Sequence, residues 1–422
     1  MSNSLSSRLR RILPLRTIVR VLAARAGAAA ARLRPIQERV YIAANRDVEL
    51  RGNLAEIHRA LTGLTPTPSI LCETGSESER QGGLPILGLV SAVARIFLRS
   101  YREALRSYRV ASSRLVIVDD YFFPIYPVKK RPGVTIVQVW HACGAFKRFG
   151  RATLEAEWGA DQIFLKWVPI HANYDLTLVS SASIAPIYAD AFGQSLETIS
   201  AAFGIPRTDV LLPSPRRDAA ERAVRERLGL RDGRTTILYA PTFRGADLKE
   251  AVAPELLDIA ALHRALGSEY RLILRLHSFV KSAMRIPPEV GDFVVDASAE
   301  PDANEVLLAG DILVSDYSSI IFEYALLNRP MAFLAPDLAA YERERGFFFD
   351  YRTGVPGPVM EETEQLARWI QAKQFDLQRV RAFAAASFDV MDERATERFV
   401  SDVALPALRG EPIRIPPAAT RQ

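Results

Sequence analysis

Asp311-Ile312-Leu313-Val314-Ser315-Asp316-Tyr317-Ser318-Ser319-Ile320-Ile321-Phe322-Glu323-Tyr324-Ala325 carries the fold of this chain in one reading. The stretch 311–314, apolar after Asp311, has the length of a buried strand and is followed by turn-forming residues. The apolar residues after Ser319 read as a helix reaching Leu327, and a second apolar run, 331–334, follows. Strand, helix and strand in that order make a βαβ unit, whose strands lie parallel.

The same rhythm extends in both directions. Upstream, strands are expected at 236–239, 270–276 and 293–296, with a helix near 254–266; downstream, 363–385 reads as helical. An earlier series has strands at 40–43, 68–72, 114–118, 134–139 and 176–179, with helices at 84–108 and 183–192. Two successive parallel series predict an α/β protein of two Rossmann-like domains facing a cleft. The expected divisions are 36–205 and 206–400, with a leading segment 1–35 and a tail 401–422. Ligands of such sheets bind beyond the carboxyl ends of the strands. His141, Thr242, His277 and Ser318 all fall at those ends.

Composition narrows the partners. The 422 residues are 49% apolar and 24% charged, so a packed core is expected and whole-chain disorder is excluded. Cys72 and Cys143 form neither a disulfide framework nor a metal-ligand spacing. The net charge of +5 suits nucleic acid, anionic lipid or a phosphorylated substrate. The excess is concentrated at the start, where Arg8, Arg10, Arg11, Arg16, Arg20, Arg25, Arg32 and Arg34 precede the first acid, Glu38. A nucleic-acid groove would spread its charge along the fold, so none is expected.

Between Pro14 and Pro35 the pattern is a basic amphipathic helix, with Leu15, Ile18, Val19 and Leu22 on one stripe beside Arg16 and Arg20. Such a helix can lie on an anionic membrane surface; the alternative is a terminal helix packed on the domain. No run approaches the roughly 18–20 apolar residues of a membrane span, and 84–98 is short and broken by Arg95. A signal-peptide pattern is also missing from the basic start. The expected location is peripheral, on the cytoplasmic face of the membrane.

Four segments carry candidate chemistry. Trp140-His141 ends a strand before Gly144, Lys147 and Arg148. Histidine there can take a proton from a hydroxyl near neutral pH, or be a structural residue bonded to backbone. Ala240-Pro241-Thr242-Phe243-Arg244 brings a guanidinium to a strand end, where it can fork onto phosphate. Arg275 and His277 share a strand face, suited to an anion or to an interdomain contact. Ser318 and Ser319 precede a helix whose first N–H groups attract anions, or simply cap it. Glu323 falls one turn on, beyond the capping-box position.

In this order, these segments resemble the CDP-glycerol glycerophosphotransferase family of teichoic-acid primases and polymerases. His171-Ala172-Asn173-Tyr174-Asp175, Phe203-Gly204-Ile205-Pro206-Arg207 and Arg345-Gly346-Phe347 add to the resemblance, which covers roughly 114–360. It implies a GT-B fold, a CDP-activated polyol as donor, CMP as leaving group and no cofactor or metal. By this resemblance His141 is the general base and His277 the second catalytic histidine. Thr242, Arg244, Arg275, Ser318, Ser319 and Glu323 would bind the donor, with Glu323 on ribose hydroxyls. Lys147, Arg148 and Asp120 would contact phosphate or acceptor. The implied reaction moves glycerol phosphate, or another polyol phosphate, to a hydroxyl of a lipid-linked saccharide or polyol-phosphate acceptor. The alternatives are a nucleotide-sugar transferase on the same fold and a non-catalytic nucleotide-binding scaffold at the membrane.

Overall fold

The structure, a computed structural model, describes residues 15–44, 49–75, 89–153, 162–245, 251–277, 280 and 284–416. The first fourteen residues of the basic segment and the start of the apolar stretch 84–98 lie outside them. Two six-stranded sheets are built, and every recorded strand pair is parallel.

The first sheet contains β1 (Gln37–Ala43), β2 (Ser69–Glu73), β3 (Ser113–Val118), β4 (Thr135–Gln138), β5 (Leu176–Leu178) and β6 (Ile199–Ser200), in the order β2-β1-β3-β4-β5-β6. The second contains β7 (Thr235–Ala240), β8 (Tyr270–Leu274), β9 (Val294–Asp296), β10 (Ile312–Ser315), β11 (Met331–Leu334) and β12 (Val359–Met360), in the order β12-β11-β10-β7-β8-β9. The strand order reverses between β1 and β3 in one sheet and between β7 and β10 in the other. At a reversal the following loops diverge to opposite faces and leave a crevice. Near-continuous apolar runs such as Leu115–Val118 are fully buried, as strands covered on both faces require.

The expected strands are present within a residue or two, except that β1 begins three residues before the expected start at Val40. The helix expected at 363–385 is two, Thr363–Ala372 and Leu377–Ser387, because Lys373 takes a left-handed conformation (φ 51°) and ends the first. The helix after Ser319 is shorter than expected, Ile320–Ala325. The expected tail is structured over its first part: a π-helical turn (Val400–Ala404) leads into a helix (Leu405–Arg409) that packs back on β1 and β3. Phe399, Val403 and Ala407 join Val40 and Leu115 in one apolar core, so the end of the chain returns to the first domain.

The leading helix spans Leu15–Ala31 and packs along a long helix, Leu89–Ser112. Its buried seam is Val21, Ala24, Gly27, Ala28 and Ala31 rather than the Leu15 stripe. Small residues allow close approach: a Cβ on Gly27 would stand 1.9 Å from the Ala104 carbonyl oxygen. Arg20 is salt-bridged to Glu103 at 2.6 Å, and Arg25 donates to the Pro127 carbonyl. Leu15 (75%) and Leu22 (56%) remain exposed, as do Ile96, Phe97, Leu98 and Tyr101 on the partner helix. Among the described residues no helix is long and apolar enough to cross a membrane.

Candidate active site

After β4 the chain turns sharply. Trp140 has φ 50°, a left-handed conformation uncommon for a bulky residue, which the surroundings must hold. The Gln138 side chain accepts from the Trp140 N–H at 2.8 Å. The Asn53 amide donates to the carbonyls of Val139 (2.8 Å) and Trp140 (2.9 Å). Arg207 Nη1 donates to the His141 carbonyl at 2.6 Å. Three successive carbonyls are thereby clamped, and the His141 ring lies against the Trp140 ring with centroids 4.3 Å apart.

His141 Nδ1 lies 2.8 Å from the Asp119 carbonyl oxygen. A carbonyl can only accept, so in the neutral ring Nδ1 carries the proton and Nε2 carries the lone pair. The buried Asp120 carboxylate stands 4.0 Å from the same Nδ1, where it favours an imidazolium once a proton is taken up. This is the electrostatic arrangement a general base needs.

Arg207 ties this turn to the second domain. Its Nη2 meets Glu323 Oε1 at 2.9 Å and Asn304 Oδ1 at 3.2 Å. Its own N–H donates to Asn53 Oδ1 at 2.9 Å, and its carbonyl accepts from Asn304 at 2.6 Å. Burial works against the guanidinium charge, yet Glu323 and neighbouring acids hold its pKa above the ordinary value. Glu323 therefore differs from expectation: its side chain is 1% exposed and serves as the counter-ion of Arg207, away from the cleft where a ribose would lie. The short helix turns this carboxylate inward, and a buried carboxylate needs such a partner.

On the other side, Arg275 is buried, and one of its nitrogens, Nη1, donates to the carbonyls of Ala297, Ser298 and Glu300 at 2.7–2.9 Å. His277 is exposed, edge-on to Phe243. The Ser318 hydroxyl accepts from the Ile320 N–H at 3.4 Å, while Ser319 occupies the helix N-cap position without a side-chain cap bond. Thr242 is buried and donates its N–H to Asp316. Arg244 also departs from expectation. It is paired with Asp316 (3.0 Å) and Asp337 (2.8 Å) and packs over Tyr317 and Tyr341. Two carboxylates offset the burial of its charge, so its guanidinium braces the second domain and does not line the cleft.

Lys147 and Arg148 lie at a domain contact. Lys147 forms a backbone bridge with Phe347, and the Arg148 N–H donates to the Gly346 carbonyl. Burial pushes the Lys147 ammonium down to about 8, against the pull of Asp316. Neither residue lines the cleft.

A cleft of about 250 Å³ opens where the two sheets' reversal points face each other. It brings together Asp120 and His141 from the first domain with Arg275, His277 and Ser318 from the second. Sequence reasoning missed Arg51, Asn53 and Asp302, which also line it. Arg207, another lining residue, lay inside a quoted motif without an assigned role. A larger cavity, about 660 Å³, lies within the first domain beside His171 and Phe192 and contains none of these strand-end residues.

Two parallel-sheet domains with a polar cleft between their carboxyl ends define a GT-B-like transferase architecture. The solved structure of the wall teichoic acid polymerase TagF shares it, with a TM-score of 0.73 over 97% of this chain and 98% of that one, at 20% identity. Residues 33–405 match the family described as CDP-Glycerol:Poly(glycerophosphate) glycerophosphotransferase, and the chain belongs to that family. It is 38% identical over 307 residues to a teichoic acid poly(ribitol-phosphate) polymerase of Bacillus spizizenii, matching 71% of this chain and 48% of that protein. A teichoic acid ribitol-phosphate primase from the same organism is 32% identical over 369 residues, 87% of this chain and 91% of the primase. The chain thus spans about half the length of the polymerase and most of the primase.

Proposed function

We propose that this protein transfers a polyol phosphate, glycerol phosphate or ribitol phosphate, from a CDP-activated donor to a hydroxyl of a lipid-linked teichoic-acid acceptor. The observation that carries the reading is the meeting of His141 and Asp120 with Arg275, His277 and Ser318 on one cleft. Support also comes from the relatives named for ribitol phosphate and from a TagF structure soaked with CDPG.

In this mechanism the second domain holds CDP. The acceptor hydroxyl attacks the phosphorus that bears the polyol, and its proton passes to His141 Nε2. The phosphoanhydride bond breaks and CMP leaves with the bond's electron pair. Arg275 and His277 offset the charge on the phosphates, and Ser318 donates to a phosphate oxygen. Such a transfer depends mainly on positioning and electrostatic stabilisation. No cofactor beyond the donor is used.

The acceptor is held at the inner membrane surface. The exposed Leu15, Leu22, Ile96, Phe97, Leu98 and Tyr101 of the paired helices form the face that meets lipid. The test is nucleotide release with CDP-glycerol, CDP-ribitol, a UDP-sugar and a GDP-sugar, each with a lipid-linked acceptor. CMP release from a CDP-polyol, dependent on acceptor, supports the reading. Release of UDP or GDP instead would establish a sugar transferase.

A further inference from the structure

The cleft has a cation that the proposed mechanism leaves unused. Arg51 follows β1 and stands at the start of the helix Gly52–Thr62. This is the reversal point of the first sheet, opposite the donor-side residues. Among the described residues its side chain has no recorded hydrogen bond or ion pair, and its Nε is buried without a partner. Other cleft-side arginines are engaged: Arg207 with Glu323, and Arg275 with three carbonyls.

Arg51 and Arg275 line the same cleft from opposite domains. Burial lowers the pKa of Arg275 most, and the charge of Arg51 lowers it further. Among the described residues Arg275 donates from one nitrogen to three carbonyls and makes no salt bridge, and the charges of Asp302, Glu300 and Asp296 each offset that of Arg51 only in part. Two such cations repel until an anion comes between them. A phosphate fits, because a guanidinium offers paired N–H donors at the spacing of phosphate oxygens.

We infer that Arg51 binds the donor's distal phosphate, the one that is transferred, closing on it from the first domain while Arg275 meets it from the second. The inference rests on the CDP-donor reading above and extends it.

The experiment is titration calorimetry of the full chain and its Arg51→Ala and Arg51→Lys variants with CDP and with CMP, which lacks the distal phosphate. Loss of a charge-assisted contact predicts about 10- to 100-fold weaker CDP binding for Arg51→Ala. CMP binding should stay within about twofold, which also reports that the variant is folded. Arg51→Lys should recover part of the CDP affinity. Equal CDP affinity in parent and Arg51→Ala, or an equal loss for CDP and CMP, overturns the inference while leaving the donor reading standing. A parent that binds neither nucleotide overturns both.

Discussion

His141 follows a tryptophan held in a conformation that tryptophan seldom adopts, and the group that fixes the His141 carbonyl, Arg207, is paired with Glu323 of the second domain. Arg207→Met should leave Glu323 buried without its counter-ion and destabilise the fold by about 3–5 kcal/mol, measurable by denaturant unfolding. The double variant Arg207→Met/Glu323→Leu should regain much of that stability. Turnover should stay low, because the His141 carbonyl still lacks the guanidinium donor. Full turnover in the double variant would remove Arg207 from the positioning network. At this scale the strand-end residues His141, Arg275, His277 and Ser318 were legible in sequence, because alternation and turn residues fix where a strand stops. Glu323 and Arg244 were not. Their partners lie far along the chain, Asp337 being 93 positions from Arg244, and sequence alone does not say which face of a short helix turns inward.

The leading helix illustrates what periodicity can and cannot give at the level of elements. Its existence was readable, but its packing seam was not, since Ala24, Gly27, Ala28 and Ala31 contribute little apolar weight to a pattern dominated by Leu15, Ile18, Val19 and Leu22. Close approach, rather than large side chains, joins it to Leu89–Ser112. Gly27→Val should therefore force the helices apart and lower stability by about 1–3 kcal/mol, seen as a reduced denaturation midpoint. The exposed stripe makes a separate prediction. Leu15→Ser/Leu22→Ser/Phe97→Ser should reduce co-sedimentation with anionic liposomes while leaving the denaturation midpoint close to the parent's. Deleting residues 1–35 is a poorer test, because it also uncovers the seam. Unchanged liposome binding in the triple variant would place the membrane contact elsewhere.

At the level of the molecule, the two domains are joined by more than their linker. The Arg148 N–H donates to the Gly346 carbonyl, the Phe348 N–H donates to the Phe146 carbonyl, and the C-terminal helix returns to the first sheet. That return was invisible in sequence because a short terminal helix carries no signal of which domain it joins. Lys147 sits at this contact with its pKa lowered to about 8. The unfolded chain then binds more protons than the folded one between about pH 8 and the ordinary lysine value, so this group's contribution makes stability rise with pH across that window. Lys147→Met should be more stable than the parent near neutral pH, with the difference shrinking as pH rises through about 8. A constant difference in urea midpoint across that range would contradict this assignment. The central claim is that a base from one domain acts on a donor held by the other. Its most direct test is CMP release from the CDP-polyol by His141→Ala, alongside calorimetric CDP binding. The expected result is loss of acceptor-dependent CMP release with CDP affinity nearly unchanged; near-normal turnover in the folded variant would contradict the claim.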